Sequence, residues 1–143
     1  MPKKTDTEVT DSATPTQTSK APKHRRKARV PAGKIYVQST YNNTILTATD
    51  LKGNVLAWSS AGRIGYAGAK KATPYAAQEI VRDLVQRLEP FGMKEAQVYV
   101  RGIGSARESA IRSLGSLGFV VTSIKDITPI PHNGVRPPRP RRV

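Results

Sequence analysis

The stretch KIYVQSTYNNTILTATDLKGNVLAWSS, from Lys34 to Ser60, limits the fold more than any other part of the chain. It holds three runs rich in Ile, Val, Thr, Tyr and Trp, separated by TYNN and by LKGN. β-Branched and aromatic side chains suit a pleated, half-buried surface, whereas the Asn and Gly clusters suit tight turns. Three short runs joined this way predict an antiparallel meander over residues 33–40, 43–50 and 54–60.

Helical periodicity takes over downstream. Thr73-Pro74 is a good N-cap and first-turn pair, and Ala77, Ile80, Val81, Leu84 and Leu88 then share one face. Glu79 with Arg82 and Asp83 with Arg87 lie at supporting spacings on the other face. Pro90 and Gly92 stop this helix, and AQVYVRG reads as a strand. Ser105 and Glu108 have capping-box spacing, with Ala110, Ile111 and Leu114 as a second buried stripe that Gly115 and Gly118 end. FVVTSIKDIT supplies the last strand. The order βββαβαβ predicts an α/β fold: a mixed sheet with helices packed on it and parallel, right-handed β-α-β crossovers.

Charge divides the chain into three. Lys and Arg number 24 against 10 acids, a formal net charge of +14. Residues 1–32 hold 8 Lys/Arg and 3 acids, residues 33–128 hold 12 and 7, and residues 129–143 hold 4 and none. The reading is a basic N-terminal extension (1–32), an α/β domain (33–128) and a basic tail (129–143). The first 20 residues have hardly a large apolar side chain and are expected to be disordered. KAPKHRRKARV follows, and Lys23, Arg25, Arg26, Lys27 and Arg29 within it suit a polyanionic partner. The tail PIPHNGVRPPRPRRV contains five prolines and four arginines, Arg136, Arg139, Arg141 and Arg142. Proline keeps it extended, so its guanidiniums repel one another unless an anion lies alongside. Nucleic acid is the commonest neutralising polyanion for so basic a chain. No spanning or signal-like apolar run is present, which predicts a soluble, unexported protein. With no cysteine and only His24 and His132, thiol chemistry and Cys/His metal centres are not expected, and no cofactor is implied.

Three constellations invite a chemical reading. In VYVRGIGSARES, Gly102 and Gly104 lie between a strand and a helix start. Backbone donors there, with Arg101 and Arg107, would seat a phosphate; the other reading is a tight packing turn. The dinucleotide fingerprint is incomplete, because Arg107 occupies the third glycine position and Asp126 stands too isolated to serve as its acid. GRIGYAGAKKATP is a glycine-rich basic loop in which Arg63, Lys70 and Lys71 supply charge and Tyr66 a stacking face. It lacks the Walker order. Asp50, Glu79 and Asp126 are the acids whose clustering would suit a two-metal nuclease, although no dense acidic pair supports one.

YNNTILTATDLKGNVLAWSSAGRIGYAGAKKATPYAAQ, VYVRGIGSARESAIRSL and DITPIPHNGVRPPRPRRV together resemble, in order, the universal family of small-subunit ribosomal protein eleven in its bacterial or organellar form. The resemblance covers about residues 28–143. It implies a ribonuclease H-like sheet without nuclease activity, a structural role on the small-subunit platform, and 16S-type rRNA as partner. Neighbouring platform proteins and the mRNA exit region near the Shine-Dalgarno helix are the other implied partners, in a cytoplasmic or organellar ribosome. RNA contacts are implied at Asn42, Asn43, Arg63, Lys70, Lys71, Arg101, Arg107 and the arginine tail. Ala106 stands where bacterial members usually carry glycine, and Val135 replaces a common cysteine. The remaining alternatives are a free-standing nucleic-acid chaperone and the metal nuclease. Asn133-Gly134 adds a candidate for isoaspartate formation, or else a simple left-handed turn, since glycine does not obstruct succinimide closure.

Overall fold

A computed structural model describes residues 29–140. Strands β1 (Ala32–Ser39), β2 (Thr44–Asp50) and β3 (Val55–Ser60) form the expected meander, followed by helix α1 (Pro74–Leu88), strand β4 (Glu95–Gly102), helix α2 (Ala106–Ser116) and strand β5 (Val120–Asp126). The sheet runs β3-β2-β1-β4-β5. β1 pairs antiparallel with β2 and parallel with β4; β2–β3 is antiparallel and β4–β5 parallel. The sequence order βββαβαβ and the mixed sheet are thus both present. No helix among the described residues is long and apolar enough to cross a membrane.

Alternation decides which face is covered. Ile35, Val37, Leu46, Ala48, Ala96, Val98 and Val100 point to one side and are buried under the two helices. From α1, Ala77, Ile80, Val81, Leu84 and Leu88 complete that core, as their helical spacing predicts. Thr73 Oγ1 accepts from the Ala76 N–H at 3.2 Å, Pro74 opens the first turn, and Gly92, with φ 66°, closes the exit. Arg82 meets Glu79, and Arg87 grips Asp83 through two bonds of 2.8 and 3.0 Å.

The second helix departs from expectation in three details. Ser105 has helical backbone angles (φ −66°, ψ −16°) and makes no side-chain cap, because an N-cap needs an extended backbone to bring its oxygen to the first-turn donors. Its hydroxyl turns instead to the Ala72 carbonyl at 3.4 Å, and Glu108 faces Arg112 at the surface. Ala106, Ala110 and Leu114 form the buried stripe, with Ile111 only partly covered. Gly115 lies inside α2, and the reversal falls to Gly118 at φ 86°.

Gly102 and Gly104, like Gly33 at the other end of β1 against the Thr49 carbonyl, have no room for a side chain. At Gly102 φ is 103°, and an added Cβ would lie inside the Ser39 carbonyl; at Gly104 it would overlap the Ser39 hydroxyl. Gly102→Ala should cost about 3 kcal/mol through strain and overpacking. Gly115→Ala, in open space on a helix, should instead stabilise by roughly 0.5 kcal/mol. Urea unfolding of both variants checks this; equal effects would contradict the packing described.

Candidate nucleic-acid interface

The register places the predicted binding residues relative to one another. Ser39, at the end of β1, pairs with Thr44 and Gly102, and Ser60, ending β3, pairs with Ile45. The carboxyl ends of β1, β3 and β4 therefore lie along one rim, joined by that of β5 through the Val100–Asp126 pair. Asn42 and Asn43 sit in the β1–β2 turn on this rim, Arg63, Lys70 and Lys71 in the β3–α1 loop, and Arg101 at the end of β4. Asn42, Arg63, Lys70 and Arg101 are exposed. In open α/β sheets this end is where connecting loops can converge on a ligand.

Hydrogen bonds between residues near in sequence hold these loops. Thr40 Oγ1 accepts from the Asn42 and Asn43 N–H groups at 3.3 and 3.0 Å, while Asn43 Oδ1 accepts from the Thr44 N–H at 2.9 Å. The basic loop is ordered too: the Ala61 N–H donates to Thr44 O and the Tyr66 N–H to Ala61 O. Gly65 and Gly68 take left-handed angles before a tight helical turn over Gly68–Ala72. Arg63 lies over the Trp58 ring, 4.9 Å from its centre. Tyr66, the expected stacking face, instead packs against the core, and desolvation holds its hydroxyl pKa above the ordinary value. The Ser105–Ala72 contact joins the basic loop to the β4–α2 turn.

That turn is not an open phosphate seat. The Gly102 N–H donates to Thr128 Oγ1 at 3.1 Å, and the Gly104 N–H to Ser39 O at 3.2 Å. Arg107 donates to Gly102 O at 2.6 Å and pairs with the Asp126 carboxylate. Asp126 also accepts from the Thr128 hydroxyl and N–H, at 2.6 and 2.9 Å. These two bonds, and then the Arg107 guanidinium, hold the Asp126 pKa well below the ordinary value, at about 2. The reading as a tight packing turn describes the two glycine donors, and Asp126 is a structural partner of Arg107 and Thr128 that its apparent isolation in the sequence hid. The Asp-x-Thr pattern was the available signal, because Asp commonly binds backbone two residues on.

Beyond Thr128 the chain is exposed from Pro129 through Pro140, with Arg136 and Arg139 on it. Asn133 adopts the left-handed turn, φ 56°. Arg29 lies elsewhere: Val30 N–H donates to Phe91 O and Pro31 O accepts from Lys94 and Glu95, at the opposite end of the sheet. Lys23, Arg25, Arg26, Lys27, Arg141 and Arg142, and the expected disorder of residues 1–20, fall outside the described residues.

The acids do not assemble. Asp50 pairs across from Gly33 and Asp126 from Val100, at opposite ends of the sheet, while Glu79 is paired with Arg82. Among the described residues no three acids or histidines are grouped to hold a metal. Two-metal chemistry needs such a group.

The described residues thus form a basic α/β domain whose rim gathers cations and amides. A family model, Ribosomal protein S11, matches residues 33–142. The small ribosomal subunit protein uS11 of Treponema pallidum (strain Nichols) is 53% identical over 121 residues, covering 85% of this chain and 96% of its own length. That of Borreliella burgdorferi (strain ZS7) is likewise 53% identical over 121 residues, covering 85% of this chain and 93% of its own. The chain belongs to the ribosomal protein S11 family, structural proteins of the small ribosomal subunit and not enzymes.

Asp126 gives this site a pH signature. A folded-state pKa below the unfolded one contributes stability that is present above the unfolded value and lost as pH falls through the folded one. Wild-type stability should therefore decline from about pH 4 to about pH 2 partly through Asp126. Asp126→Asn should be less stable at neutral pH and lose less over that interval. Parallel urea titrations at several pH values check this, and identical pH profiles would contradict it.

Proposed function

We propose that this chain binds 16S-type rRNA on the platform of the small subunit, bridging RNA helices beside neighbouring platform proteins and the mRNA exit region of the Shine-Dalgarno helix. The setting is a cytoplasmic or organellar ribosome, and the fold is used as a ribonuclease H-like scaffold without its nuclease chemistry. The observation that carries this reading is the convergence of Asn42, Asn43, Arg63, Lys70, Lys71 and Arg101 on one rim, with the tail rooted beside them. Cations and amides suit phosphate and sugar contacts, which position a protein on RNA without reading its sequence.

The domain 33–128 is the rigid unit, and the segments 1–32 and 129–143 extend its reach. Arg136, Arg139, Arg141 and Arg142 thread an RNA groove, where a proline-rich chain loses little conformational entropy on binding. Asn133 sets a turn in that path; its isomerisation to isoaspartate is part of the same proposal, checked by peptide mapping of aged subunits. Arg107 serves by holding the tail's root. The run Lys23, Arg25, Arg26, Lys27 and Arg29 makes a separate contact, since Arg29 sits at the far end of the sheet.

With about eight phosphate contacts, affinity for a platform rRNA fragment should drop by roughly three decades or more between low and moderate salt. Replacing the four tail arginines by Ala should leave the domain folded and reduce co-sedimentation with small subunits. A flat salt dependence, or a sucrose-gradient profile in which the protein avoids the small subunit, would contradict the proposal; the second result would favour a free-standing chaperone.

A further inference from the structure

Both helices pack on one face of the sheet, and the other face carries a registered row of aromatic residues. Trp58 pairs with Thr47, Thr47 with Tyr36, Tyr36 with Tyr99, and Tyr99 with Lys125. The two tyrosine rings stack at 5.2 Å with 21° between their planes, and Trp58 is 48% exposed at the β3 edge under Arg63. Lys34, Gln38, Gln97 and Arg101 share this face by strand alternation, and Glu95 is its one acid among the described residues. None of these aromatics is needed to close the core, which lies entirely on the helix side.

We propose that this open face is a stacking platform for unpaired RNA bases, with Tyr36, Tyr99 and Trp58 receiving the bases and Lys34, Arg101 and Lys125 the backbone. The inference rests on the rRNA-binding reading and deepens it. Sheet aromatics with interleaved cations bind single strands because every base has a π-face and every linkage a negative charge. A protein partner is less well matched, since interface cores are depleted in lysine. The face is also continuous with the basic rim: Arg101 and Gln38, a registered pair, lie where the two meet.

The test uses the full chain and an unstructured, end-labelled RNA octamer, followed by anisotropy and by emission of Trp58, the single tryptophan. Octamer binding should quench that emission. Tyr36→Leu/Tyr99→Leu keeps apolar bulk but removes the π-faces, and should weaken binding about tenfold or more with the salt dependence unchanged. Should that variant not fold by circular dichroism, Trp58→Leu at the exposed edge is judged by the same criterion. Unchanged affinity in the aromatic variant, alongside a loss in Arg136→Ala/Arg139→Ala, overturns the platform and leaves the rRNA reading intact. Absence of any RNA binding by the wild type removes both. In assembled subunits, photocross-links from Tyr36, Trp58 or Tyr99 should go to nucleotides; links to protein, or none, overturn the proposal.

Discussion

The structure depends on how β4 leaves the sheet. At Gly102 the chain turns across the end of β1 so closely that the Ser39 carbonyl occupies the space of a side chain, and at Gly104 the Ser39 hydroxyl does the same. This contact sets the start of α2, and so puts Arg107 within reach of both the Gly102 carbonyl and Asp126. Asp126 in turn gathers Thr128, whose hydroxyl closes the loop by accepting from the Gly102 N–H. Strand exit, helix start and tail root are thereby one network. Each isolated bond is modest, but their shared geometry makes the direction of the tail a property of the fold.

That constraint explains how a small basic protein can aim its charge. Lys70 and Lys71 are placed by the glycine-rich loop that leads into α1, which the Ser105 hydroxyl joins to the β4–α2 turn. Four of the domain's seven acids are paired with arginine: Asp83 with Arg87, Glu79 with Arg82, Asp126 with Arg107 and, at the surface, Glu108 with Arg112; Asp83 also accepts from the Ser59 hydroxyl. What stays exposed at the rim includes Asn42, Arg63, Lys70 and Arg101, beside the large side chains of Tyr41 and Ile103. Membership of the ribosomal protein S11 family and this distribution of charge point the same way.

Much of the fold was legible because its signals are local. The α1 stripe, its Thr73 cap and its paired charges follow from residues three and four apart, and the meander from runs broken by turn residues. The Ser105 cap failed because capping depends on one residue's backbone angles, which the tertiary contact of Gly104 with Ser39 determines. Arg107 was legible as a charged residue at a turn, but its partner Asp126 lies 19 residues away and becomes adjacent only when β5 pairs with β4. The aromatic row was hidden for the same reason: Trp58, Tyr36 and Tyr99 align only once the registers of four strands are known.

The central claim is that RNA is met at the carboxyl ends of the strands. It is tested most directly by neutralising equal charge at the two ends of the sheet and measuring affinity for one platform rRNA fragment at fixed salt. Lys70→Ala/Arg101→Ala removes two cations from the rim, and Lys52→Ala/Lys94→Ala removes two exposed cations from the opposite end. The account predicts that the rim variant binds at least about tenfold more weakly, with a reduced salt slope, while the opposite variant stays close to wild type. Equal losses, or a larger loss from the Lys52 and Lys94 end, would contradict it.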